Sequence, residues 1–178
     1  MNEIDTKHKE MVMALKADGQ TVANNFTMYR GAILVNVIEA LKQLSDSLDE
    51  IKKHVVYNNP RLPEPELGKE GNDTYPITAK QGDILHYALG MLGETLEQAY
   101  PLMEYAIVRR GLGDIDMENA LEERGDMEWY LKLGDSLLGF TNEQIIEHNT
   151  AKLSLRFPNM TFSKEHAEQR LDKVGTSE

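Results

Sequence analysis

Cysteine is absent from the 178 residues, which removes disulfides, thiolate zinc sites and a cysteine nucleophile together. Aromatic residues amount to only 7%, few for the strand-rich core of a β-sandwich. Positive charge is also scarce: 19 Lys and Arg stand against 30 Asp and Glu, a formal net charge of −11. Such a surface repels nucleic acid and anionic membranes, so neither is expected as a partner, although a small anion brought in with metal ions is not excluded. No apolar run approaches the roughly 18 residues of a membrane span, and the opening MNEIDTKHKE lacks the apolar core of a secretion signal. These absences lead to the expectation of an acidic, cytoplasmic protein.

What is present favours helices. Leu, Met, Ala, Glu and Lys are plentiful, and a 40% hydrophobic fraction suits one folded domain. The pattern predicts an all-α bundle of about five main helices. The first spans Ile4 to Leu15 and stops at Gly19. A long second helix starts after Thr27 and reaches about Val56, with Ile33, Val37, Leu41, Leu44, Leu48, Ile51 and Val55 stepping by three and four. Pro60, Pro63, Pro65 and Pro76 mark a linker over 59–77. A third helix opens at Thr78 with Gln81 completing a capping box. Its predicted buried stripe is Leu85, Ala88, Leu89, Leu92, Leu96, Ala99 and Met103, and Pro101 is expected to kink or shorten it. A fourth helix runs from about Asp116 to Leu138, where Gly139 ends it. Thr141 and Gln144 cap a fifth, which reaches about Phe157, and a weaker helical pattern covers 164–174. The chain therefore reads as N-terminal helices (1–58), linker (59–77), helical core (78–165) and tail (166–178), forming one compact domain overall.

An internal repeat links the second and third helices. A shift of 51 positions lays Thr27 on Thr78, Gly31 on Gly82, Ile33 and Leu34 on Ile84 and Leu85, Leu41 on Leu92, and Asp46 on Glu97. Two amphipathic helices of equal period would produce part of this, but the coincident Thr and Gly at both helix starts favour a duplication. Gln43 stands where the second copy has Glu94, so the first copy lacks one charged position and reads as scaffold or as a base-side wall.

Four acids form the clearest constellation. Glu94 and Glu97 share a face of the third helix, and Glu123 and Asp126 share a face of the fourth. A hairpin folded near position 110 brings the pairs opposite each other. Acidic pairs at this spacing also occur on solvated helix faces. Gly90 and Gly93 beside Glu94, Gly125 beside Asp126, and the symmetry about the turn favour a converging cluster, whose repulsion a divalent cation would relieve. Oxygen donors without cysteine point to Mg²⁺, with Mn²⁺ as the alternative. On the fifth helix, Asn149, Lys152 and Arg156 fall on one face. They suit either a phosphate group or the negative end of the helix dipole.

The stretch 85–97, reading LHYALGMLGETLE, resembles the MazG-like all-α nucleoside triphosphate pyrophosphohydrolases, which carry E-x-x-E followed later by E-x-x-D. Residues 122–126 (EERGD) resemble the second motif, and residues 149–158 (NTAKLSLRFP) resemble the closing helix of that family. The resemblance implies Mg²⁺-dependent cleavage between the α and β phosphates, with Glu94, Glu97, Glu123 and Asp126 as metal ligands. It places Asn149, Lys152 and Arg156 near the nucleotide. Glu94 is the expected orienter or base for the attacking water, and His86 is read either as a base or ribose contact or as a satisfied interior histidine. Trp129 and Tyr130 are expected in the core or an interface. Homodimers or homotetramers are the implied assembly. Two other readings stand beside this one: a dUTP- or dCTP-specific pyrophosphatase of the same fold, and a non-catalytic helical interaction protein.

Overall fold

The structure, a computed structural model, describes residues 3–57, 77–169 and Asp172. Among them the chain forms seven α-helices and no strand: α1 (Glu3–Leu15), α2 (Gly19–Asn24), α3 (Met28–Val55), α4 (Ala79–Met103), α5 (Met117–Leu138), α6 (Asn142–Arg156) and α7 (Lys164–Gln169). The five long members match the five expected main helices. No described helix is long and apolar enough to cross a membrane. The Pro-rich segment expected as a linker lies, apart from Ile77, outside the described residues.

Side-chain caps set several helix starts. Thr27 accepts from the Arg30 amide, and Thr78 and Thr141 form reciprocal capping boxes with Gln81 and Gln144. Each cap satisfies amides that the first helical turn leaves unpaired. Helices α3 and α4 thus start at equivalent places in the repeat. Gly19, expected only as a stop, instead begins α2, because the preceding Asp18 accepts from the Thr21 amide at 2.9 Å. Helix α4 continues through Pro101 and passes into a π-helical turn at Glu104–Val108. Proline has no amide to return to the carbonyl four residues earlier, so this end of the helix is free to widen. Gly139 (φ +75°) follows the end of α5, adopting the left-handed conformation that closes helices.

The described chain divides into two compact units. Among the described residues, one comprises 3–26, 139–169 and Asp172, the other 27–57 and 77–138. In the first, α1 packs on α6, burying Met11, Ile146 and Phe157. In the second, α4 packs against both α3 and α5. Helices α3 and α4 run antiparallel: Lys52 meets Glu94 while Lys42 lies 5.4 Å from the Tyr100 ring.

The buried faces differ from the expected stripes. On α4, Leu96 is buried, but Leu85, Ala88 and Leu92 are exposed; the inward positions are Gly90, Gly93, Glu94 and Leu96. On α3, Ile38, Ser45 and Lys52 turn inward at seven-residue spacing, while Ile33, Val37, Leu44, Ile51 and Val55 stay 39–53% exposed. The reason is close helix contact. A Cβ at Gly90 would lie 2.0 Å from the Tyr130 ring, and a Cβ at Gly134 would lie 2.4 Å from the Tyr87 ring. Each of α4 and α5 therefore places a tyrosine over a glycine of the other, and small residues rather than leucines define the contact.

The glycines of this unit should separate in a stability measurement. Gly90→Ala forces the buried Tyr130 aside and should cost about 1–3 kcal/mol. A Cβ at exposed Gly125 meets nothing within 4 Å, so Gly125→Ala should gain up to about 1 kcal/mol from helix propensity. Thermal unfolding of the two variants checks the opposite signs.

Candidate metal centre

Three of the four predicted carboxylates converge. The i, i+3 spacing puts Glu94 and Glu97 on one face of α4, and α5 brings Glu123 against it. One carboxylate oxygen from each lies within 4.8 Å of the others. Glu94 is buried (6% exposed), whereas Glu97 and Glu123 are half-buried. Asp126 is exposed and lies outside this trio, but it lines the same groove as Glu94. A compact set of hard oxygen donors fits Mg²⁺ or Mn²⁺ and offers no nitrogen or sulfur for a softer metal.

A cation from the chain itself already sits among these acids. The buried Lys52 Nζ donates to Glu94 Oε1 at 2.9 Å and lies 5.9 Å from the Tyr130 ring centre. Burial opposes its charge, but the hydrogen bond and charge of Glu94 outweigh that and raise its pKa above the ordinary lysine value. Lysine was not among the expected site residues. Its signal is positional: Lys52 falls seven residues after Ser45 and fourteen after Ile38, on the buried face of α3.

The carboxylates show the strain of this crowding. Burial raises the Glu123 pKa to about 7, with further contributions from Glu97, Glu94, Asp126 and Glu122. Glu97 is raised as well, first by burial and then by the charge of Glu94, with Lys52 opposing. Like charges held together in a partly dry site favour protonation, and a bound cation serves the same purpose.

A groove of about 380 Å³ opens beside the cluster, lined by Asp49, Lys52, Lys53, Tyr57, Glu94, Asp126, Trp129 and Tyr130. Lys53 pairs with Asp49 one turn away. The aromatic residues occupy two environments: Tyr130 is buried as expected, whereas Trp129 is 55% exposed at the groove. Behind them His86 packs against Tyr57, Trp129 and Tyr130 at ring distances of 6.3, 6.1 and 5.7 Å. Its Nε2 is buried and finds no hydrogen-bond partner among the described residues.

The remaining predicted residues belong to the other unit. Asn149 Oδ1 lies 3.4 Å from His8 Nε2. Lys152 is half-buried on α6. Arg156 makes a two-pronged contact to Asp172 at 2.7 and 2.6 Å, a geometry that guanidinium shares between carboxylate and phosphate.

No protein-family model, curated protein or solved structure matches the chain.

The raised Glu123 pKa makes a testable statement about stability. The folded protein binds this proton more readily than the unfolded chain does. Its stabilising contribution is therefore complete below the ordinary carboxylate pKa of 4.5 and is lost as pH rises through about 7. In metal-free buffer the melting temperature of the wild type should fall, relative to Glu123→Gln, across that window. Parallel melting curves for the two proteins would exclude the crowding.

Proposed function

We propose that this chain is a divalent-metal-dependent nucleoside triphosphate pyrophosphohydrolase that converts a (d)NTP to a (d)NMP and pyrophosphate. The observation that carries the reading is the meeting of Glu94, Glu97 and Glu123 from two helices beside a groove that also offers lysines and aromatic rings. Carboxylates brought this close in a partly dry site repel one another, and a divalent cation would relieve that repulsion.

Glu94, Glu97, Glu123 and Asp126 would hold the metal. When bound, Mg²⁺ or Mn²⁺ supplies charge neutralisation for the phosphate chain and lowers the pKa of water. Glu94, held in place by Lys52, is suited to orient that water or accept its proton. Lys53 lies in the groove to meet phosphate oxygens, and Trp129 and Tyr57 offer planar faces for a base. The buried, unpaired His86 nitrogen fits a base or ribose contact made through this aromatic group. Asn149, Lys152 and Arg156 lie in the other unit, where Arg156 is engaged by Asp172; only the resemblance of their motif would bring them to a nucleotide.

The narrower dUTP or dCTP reading keeps the same chemistry. A screen of pyrophosphate release from the eight common (d)NTPs distinguishes it from broad activity. Release from none of them, with no Mg²⁺-dependent thermal shift that Glu94→Gln removes, would leave the helical interaction protein as the better account. Within the enzyme reading, Glu97→Ala and Asp126→Ala should each retain less than about a tenth of the activity, because each removes a metal ligand. Both should melt at or slightly above the wild-type temperature without metal, since crowding is relieved.

The exposed stripe on α3 supports the expected homo-oligomer, with the apolar face of one copy covered by another. Light scattering should give a multiple of the 20.2 kDa chain mass, and Val37→Glu with Leu44→Glu should reduce it. A fully active wild type at 20.2 kDa would mean that one chain closes its own site.

A further inference from the structure

Lys52 poses a problem that the metal-centre reading alone leaves unsolved. Its long side chain turns into the interior from a position where Ile38 and Ser45 mark the buried face. There its ammonium hydrogen-bonds Glu94, the most buried acid of the cluster. Buried ion pairs are costly to form, and apolar residues of similar volume often stabilise a core as well or better. A purely structural role is therefore a weak reason for a lysine here. The ammonium lies beside Gly93, where a Cβ would sit 3.9 Å from Lys52 Nζ, an ordinary contact distance. Lys52 also lines the open groove together with Lys53 and Asp126.

We propose that Lys52 is an internal stand-in for the metal. It holds Glu94 in the metal-free protein and passes from Glu94 to the phosphate chain when a divalent cation takes the carboxylates. This rests on the metal-dependent reading above and adds a coupling to it. Lys52 competes with the metal for Glu94, so the empty site binds a bare divalent ion weakly. A polyphosphate gives the displaced ammonium a new partner, so metal and anion load the groove together. By linkage the coupling is reciprocal: the factor by which bound phosphate raises metal affinity equals the factor by which bound metal raises phosphate affinity. Lys52 is thus a positioning residue for Glu94 before loading and a phosphate contact afterwards.

The test measures two affinities on the full-length chain. Mn²⁺ binding is followed by electron paramagnetic resonance and calorimetry, and inorganic tripolyphosphate binding is measured in saturating Mn²⁺. Lys52→Met should bind Mn²⁺ about tenfold more tightly and tripolyphosphate about fivefold less tightly than wild type, within the usual range of couplings between sites. A merely structural lysine would move both affinities in the same direction. Lys52→Gln, neutral and polar, is read in parallel in case the Met variant does not fold, and should behave alike. Lys52→Arg keeps the charge and should retain the weak Mn²⁺ binding of the wild type. A Mn²⁺ affinity that does not rise in the neutral variants, a tripolyphosphate affinity that does not fall, or tight Mn²⁺ binding by Lys52→Arg overturns the proposal while leaving the metal centre intact. Absence of Mn²⁺ binding in the wild type and also in Lys52→Met and Lys52→Gln, where the competing ammonium is gone, overturns the metal-dependent reading and this proposal with it.

Discussion

Three carboxylates are held within 4.8 Å of one another, where each charge raises the cost of the next. Water at the half-exposed Glu97 and Glu123 screens part of that cost, but Glu94 is nearly cut off from solvent. Lys52 answers this locally, and protonation of Glu123 near neutral pH answers it where Lys52 does not reach. On the metal-dependent reading, the arrangement would give up stability in the metal-free protein for a donor set that a relaxed helix surface does not offer. Such a concession is common where a site is built for a ligand.

The packing of α4 and α5 makes the convergence possible. Leucines at the contact would hold the helices further apart. Glycines at 90 and 134, each covered by a tyrosine from the opposite helix, let the backbones approach and fix the register at the same time. Gly90 lies one turn before Glu94 on α4, and Tyr130 one turn beyond Asp126 on α5. The tyrosine that seats on Gly90 also presents its ring to Lys52 and to His86. One contact thus sets helix separation, register and the floor of the aromatic group.

Much of this was legible in the sequence, because local signals acted locally. Thr27, Thr78 and Thr141 cap helices by bonding within three residues, and the structure keeps all three starts. The convergence of Glu94, Glu97 and Glu123 followed from i, i+3 spacing and a hairpin near position 110. Helix α2 escaped notice because a glycine at its first position masked the Asp18 cap before it. The larger miss was which face turns inward. Periodicity finds an apolar stripe but does not say what covers it. The α3 stripe is largely uncovered within the described chain, while a serine and a lysine point inward. A lysine at a core position reads as an error of pattern until its carboxylate partner, 42 residues away, is seen to need it.

With Gln43 in the place of Glu94, and Asp46 exposed on the surface, α3 does not repeat the acidic pair of α4. It forms the opposite wall of the groove, contributing Asp49, Lys52 and Lys53, with Tyr57 following just after its end. Two intact acidic copies facing each other would double the crowding with no cation of their own. The lysines on the last turns of α3 face the carboxylates of α4, so the two helices meet as a complementary rather than a like-charged pair. Acids still exceed lysines around the groove, and the whole chain carries −11. A bare triphosphate therefore meets repulsion both at long range and at the cluster. It becomes an acceptable ligand only when its charge is compensated. On the proposed function, that constraint would tie the acidity of the surface, the crowding of the carboxylates and the inward turn of Lys52 to one requirement: cation and anion would have to enter the groove together.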